Sequence, residues 1–173
     1  VEDRDRAPDV PLWTHVSVTA ALALCYYVRR EPVPTVPDDG TPVPSGLTVA
    51  CLTFTGTHRL VDLPSDGALR QLRGRAAFLS LVTTGFARRV LGALNLPPEC
   101  LILRWDAGCF LLLPDAAAEE LTTAAADLVR EAGQLPGFVR PRVARTPLYV
   151  RKEGPELRLL LQEGMRKTWR AAA

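Results

Sequence analysis

The chain has 173 residues, 47% of them hydrophobic, and a net charge of +2. That is enough apolar material for one core of moderate size and too little positive charge for a generally basic nucleic-acid binder. No apolar run is long enough to span a membrane, and the N-terminus carries no signal-peptide pattern. Of the 21 cationic residues only Lys152 and Lys167 are lysine. Arginine's planar fork suits phosphates and carboxylates, although the abundance of Ala, Pro and Gly assigns the larger share of this choice to compositional bias. Cys25, Cys51, Cys100 and Cys109 lack metal-ligand spacing, and all but Cys100 sit in apolar runs. They read as buried free thiols in a reducing cytoplasm. The first residue is Val rather than Met, which fits a piece of something longer.

The opening residues are charged and proline-containing, a loop. "LWTHVSVTAALALCYYVRR" (Leu12–Arg30) reads as an apolar helix that ends before Pro32. Residues 32–46 hold five prolines and two glycines and read as a stiff linker. "LTVACLTFTG" (Leu47–Gly56) is β-rich and ends on glycine, a strand. A long helix over Leu69–Asn95 follows. "CLILRWDAGCFLLLPD" (Cys100–Asp115) gives two short strands around a turn at Asp106-Ala107-Gly108. A second helix spans Ala116–Ala132. Phe138–Val150 is extended but carries two prolines, which suits an edge strand. "PELRLLLQEGMRKTWR" (Pro155–Arg170) reads as a final helix, with Pro near its start and a basic last turn. The order β-α-β-β-α-β is the ferredoxin-like arrangement, an α+β fold. Many unrelated functions share that fold, so it decides none of them.

The long helix is unusual. It carries Gly74, Gly85 and Gly92, each costing about 1 kcal/mol relative to alanine in a helix interior. At 100° per residue, Leu69, Leu72, Ala76, Leu79, Thr83, Phe86, Val90 and Leu94 form one apolar stripe that should lie on the sheet. Arg70 and Arg88 fall opposite it. The three glycines fall within about 20° of one another on that outer side, flanked by Phe78 and Leu81. Alanine or glutamate would serve a merely solvated face better. The pattern therefore reads equally as a docking surface approached closely by another chain or strand, or as glycines that relieve local crowding.

At these residues the sequence resembles a known family. "LRQLRGRAAFLSLVTTGFARRVL" is similar to the Leu-Arg-Gly-Arg helix of the large subunit of type III CRISPR effector complexes, with Arg70, Leu72, Arg73, Gly74, Arg75, Ala76, Phe78 and Leu79 on its pattern. "LTFTGTHRLV" stands where the family has a Gly-Asp-Ile-Ser-Gly-Ile-Gln strand end. "LPPECLILRWDAGCFLLLP" resembles its strand, glycine-rich turn and strand. "VPLWTHVSVTAALALCYY" looks like the last helix of its HD nuclease domain. The resemblance runs from Pro8 to Pro114. It implies that the body is the first of two palm domains. It also implies a prokaryotic RNA-guided antiviral assembly whose second palm makes cyclic oligoadenylates from ATP.

The chemistry of that family is not visible in these residues. A phosphoryl-transferring palm needs carboxylates for two metal ions. Thr53 stands where the first-strand Asp would align, and the hairpin turn offers Asp106 alone. An HD site needs His and Asp from several helices. Here Thr14 replaces the Asp before His15, and the other histidine, His58, lies across the linker. No Gly-Gly-Asp-Asp, P-loop or zinc spacing occurs.

The expected organisation is a helical HD remnant (1–31), a linker (32–46), a ferredoxin-like palm (47–150) and a C-terminal helical extension (151–173). The expected function is a non-catalytic, reduced large subunit that caps the guide-RNA 5′ end. No catalytic, metal or cofactor residues are expected. Contacts to partner subunits or to guide- and target-RNA phosphates are expected at Arg70, Arg73, Gly74, Arg75, Gly85, Arg88 and Gly92 on the helix. Arg140, Arg142 and Arg145 would add to them from the last strand. Arg166, Lys167 and Arg170 also cluster, but the dipole of their own helix is sufficient reason for them. The alternatives are the N-terminal part of an active subunit that makes cyclic oligoadenylates and cuts single-stranded DNA, or a ferredoxin-like adaptor without RNA.

Overall fold

The computed structural model describes residues 12–30, 34–57, 68–132, 140–153 and 156–172. Helix α1 (Leu12–Arg29) stops at Arg30, whose φ of 56° is left-handed and whose N–H reaches the Tyr26 carbonyl at 3.1 Å. Strand β1 (Val43–Thr55) begins four residues earlier than its apolar run, inside the expected linker. Its start is irregular: the pairing register shifts between Pro44 and Thr48. Buried Ser45 stabilises the bulge, its Oγ donating to the Leu148 carbonyl at 2.8 Å and accepting from the Leu47 N–H at 3.2 Å. Gly46 there has φ +72°, and the Arg29 guanidinium lies against its Cα while donating to the Ser45 carbonyl at 2.9 Å.

Helix α2 (Ala68–Ala93) is 26 residues long, so roughly 39 Å at 1.5 Å per residue. It ends in a left-handed Asn95 (φ 53°), with the Leu96 N–H closing on the Leu91 carbonyl at 2.8 Å. Pro97 and Pro98 then prevent continuation, and a short 3₁₀ turn (Pro98–Cys100) leads into β2 (Leu101–Trp105). β3 (Gly108–Pro114) is buried along its whole length. α3 (Asp115–Ala132) opens on an Asp, which favours a helix N-terminus and accepts the Thr48 hydroxyl at 2.6 Å. β4 (Arg140–Glu153), β5 (Glu156–Leu159) and α4 (Leu161–Ala172) complete the chain.

The five strands form one antiparallel sheet in the order β2-β3-β1-β4-β5. Its first four members have the ferredoxin-like order, so the α+β expectation holds. Alternation along β1 divides the core. Phe54 points to α2, where it meets Phe86 edge-on at 5.3 Å, and Thr48 points to α3. Val49 points to the other face, beneath Gly164 of α4. Leu111, Leu112 and Leu113 fill both faces of β3 with no exposed surface. Each contributes about 1.5–3 kcal/mol through burial.

Two expectations are corrected. The C-terminal segment is not one helix, because residues 156–159 turn back to pair with Val150–Glu153 before α4 begins. β4 is consequently not the sheet's edge strand. The reasoning from its prolines survives locally, since β5 covers only the end of β4. Pro141 and Pro147 sit in the stretch before that pairing and share one strand parity, so both nitrogens face the same edge.

Candidate protein and nucleic-acid interface

The sheet holds α2 by its apolar stripe. Leu79, Thr83, Ala87, Val90 and Leu91 are buried, and Thr83 donates to the Asp106 carbonyl at 2.9 Å, fastening the helix to the β2–β3 turn. Gly74, Gly85 and Gly92 lie on the opposite, exposed side, where an added Cβ would meet no atom of the described residues within 4 Å beyond the helix's own backbone. Phe78 (57% exposed) and Leu81 (73% exposed) complete a row at spacings of three, four and seven. Arg73 and Arg88 are exposed along it, and Arg75 is half-buried with an interaction of its own. The glycines therefore relieve no crowding among the described residues. Two large apolar side chains, Phe78 and Leu81, thus stand on the exposed side.

The strand arginines are used differently. Arg142 donates to the Ala172 carbonyl at the end of α4 (3.3 Å), and Arg145 donates to the Ala118 carbonyl at 2.7 Å. Both guanidinium groups thus hold helices to the sheet, a role the sequence pattern did not reveal. Arg140 is exposed. The side chains of Leu69, Arg70, Leu72, Thr14 and His15 lie outside the described residues, as does all of His58.

Where a palm would carry its carboxylates, β1 places Thr53 opposite Gly108 on one side and Arg142 on the other. The Thr53 hydroxyl is buried and has no hydrogen-bond partner among the described residues. Asp106 is exposed in the turn, and its backbone carbonyl is what Thr83 uses. The neighbouring space is aromatic: Trp105 packs on Trp169 of α4 at 5.1 Å and on Phe110 at 5.4 Å. A Cβ on Gly108 would meet the Trp105 ring at 2.4 Å and the Leu52 carbonyl oxygen at 2.8 Å, so glycine is required by close approach. The described residues include no group of three or more His, Cys, Asp or Glu able to hold a metal ion.

The cysteines are all buried and free. The Cys25 thiol of α1 donates to the Leu112 carbonyl at 3.3 Å and lies 3.9 Å from the Cys100 sulfur. Its hydrogen bond with Cys100, then burial, push its pKa up. Burial pushes Cys51 and Cys109 up to about 12. Cys25, Cys51 and Cys109 are thus held as protonated thiols in the interior, while the Cys25 hydrogen bond pulls the Cys100 thiol down. No helix among the described residues is long and apolar enough to cross a membrane.

Known proteins share this architecture. Residues 58–131 match the family model described as Csm1 subunit domain B. A chain in the crystal structure of a Csm1–Csm4 cassette in complex with cA3 superposes with a TM-score of 0.67 at 19% identity, covering 94% of this chain and 23% of that one. Csm1 of T. onnurineus gives 0.64 at 19% identity, with 93% and 23% covered. A Csm1–Csm4 subcomplex of the type III-A CRISPR-Csm interference complex gives 0.63 at 20% identity, with 93% and 22% covered. The search of curated proteins found no match. The chain spans under a quarter of the length of these structural relatives. The match to the domain family and the shared fold agree with the resemblance carried by the Leu-Arg-Gly-Arg helix: this chain is similar to the palm-like domain B of Csm1, the type III CRISPR large subunit.

Proposed function

We propose that the chain is a non-catalytic subunit of a type III CRISPR effector ribonucleoprotein, docking on a partner through the outer face of α2. It caps the guide-RNA 5′ end by protein contacts and by arginine–phosphate contacts. The partner is the subunit that stands to this chain as Csm4 stands to Csm1 in the similar assemblies. The observation that carries the reading is the row Gly74, Phe78, Leu81, Gly85 and Gly92, exposed on a helix that buries Leu79, Thr83, Ala87, Val90 and Leu91. The aromatic packing at Trp105, and a Thr53 hydroxyl with no partner among the described residues, support loss of palm chemistry.

The test is a Gly85→Leu, Gly92→Leu double variant. A Cβ meets open space among the described residues at both exposed positions, and leucine gains about 1 kcal/mol each in helix propensity. The melting temperature should stay level or rise while co-purification with the partner subunit is lost. Retained co-purification would contradict the docking face.

A second reading is favoured by the likeness to a Csm1–Csm4 cassette solved in complex with cA3. On that reading the chain is the N-terminal part of an active subunit that makes cyclic oligoadenylates, and this palm only completes the ATP pocket. A Gly-Gly-Asp-Asp sequence downstream in the reading frame would support it.

A further inference from the structure

Among the described residues β2 is the terminal strand of the sheet, so its outer backbone N–H and C=O groups have no strand partner. A groove of about 550 Å³ runs along this edge. Val16 and Ala20 of α1 form one wall, and Leu101, Ile102 and Leu103 form the floor. Val16 is 49% exposed and Leu103 45%, so the groove offers apolar surface to an occupant.

The opposite rim is cationic, and the fold arranges it. Arg104 leaves β2 and donates to the Thr84 hydroxyl of α2 at 3.1 Å, while that hydroxyl donates to the Ser80 carbonyl at 2.7 Å. Arg88 lies one helical turn beyond Thr84 and lines the same groove. Two guanidinium groups thus stand on one rim against a single carboxylate, Glu99. A paired arginine rim suits bidentate binding of carboxylates. An unpaired strand edge with apolar floor and wall suits an extended backbone with alternating side chains. The register shift between Leu101 and Leu103 limits the pairing to a short segment.

We propose that this groove receives an extended, carboxylate-bearing segment of another polypeptide as a short added strand on β2. Aliphatic residues would lie on Ile102 and Leu103, with Asp or Glu on Arg88 and Arg104. The inference shares Arg88 with the outer side of α2 but rests on the β2 edge and its apolar floor, and it needs no RNA.

The test uses the full 173-residue chain and the capped peptide Val-Glu-Val-Glu-Val, followed by amide hydrogen exchange and chemical shifts. The expected result is weak binding, on the order of millimolar, with slowed exchange confined to amides of Leu101–Trp105. A Val-Lys-Val-Lys-Val peptide should not bind. The double variant Arg88→Ala, Arg104→Ala, with its melting temperature checked, should bind the acidic peptide about fivefold more weakly. Equal binding of both peptides, perturbation mapping elsewhere, or no change at several millimolar peptide would overturn the proposal. So would a groove that takes a uridine oligonucleotide and not the peptide.

Discussion

Glycine has opposite meanings at different positions of this chain. Gly108 is required, because a Cβ would strike the Trp105 ring and the Leu52 carbonyl. Gly108→Ala should cost about 1–3 kcal/mol, the usual range for overpacking a filled core, measured as a lower denaturant midpoint. Beyond its own helix, Gly85 has no neighbour among the described residues within 4 Å of where a Cβ would stand, so Gly85→Ala should stabilise by up to about 1 kcal/mol. Opposite signs from the same chemical change would separate a structural glycine from one kept for a partner. The helical wheel made the outer position of Gly74, Gly85 and Gly92 legible from sequence. It could not tell that Gly108 lies under Trp105, because that contact needs the β2–β3 hairpin and α4 in place. The roles of Arg142 and Arg145 were hidden for the same reason. Their acceptors are carbonyls at Ala172 and Ala118, and a carbonyl carries no sequence signature.

At the level of elements, periodicity carried α1, α2, the hairpin and α3 to within a few residues of their observed bounds. β5 was missed because Leu157, Leu159, Leu160 and Leu161 read as helix in isolation, and only the partner strand makes part of that run extended. Charges help fix the hairpin. Glu153 accepts from Arg158 at 2.9 Å and from the Arg151 Nε at 2.7 Å. The Arg158 hydrogen bond, then the Arg151 one, hold the Glu153 carboxyl below its ordinary pKa. Lys167 does the same for Glu163 in α4. A lowered pKa means the folded state binds fewer protons than the unfolded chain. The stabilisation is therefore present above the unfolded glutamate value, about 4.3, and is lost as pH falls through the folded value. The thermal midpoint should drop on acidification from about pH 5.5 to about pH 3, and Glu153→Gln should drop less over that window. An equal drop in the variant would show that this carboxylate contributes nothing to it.

At the scale of the whole molecule, helices cover the sheet on both faces, and among the described residues the outer side of α2 and the β2 edge stay open. The same covering by α4 sets Trp169, still 46% exposed, against Trp105 beside the position a palm uses for metal. On the proposed reading, the molecule keeps the frame of a palm-like domain and presents surfaces for contact. Membership of a guide-RNA assembly is the claim on which the rest depends. The most direct measurement is to isolate the chain with its native operon partners and sequence the RNA that accompanies it. RNAs sharing one repeat-derived 5′ end are the predicted result. Recovery of the chain with no RNA would contradict the account and leave a ferredoxin-like adaptor.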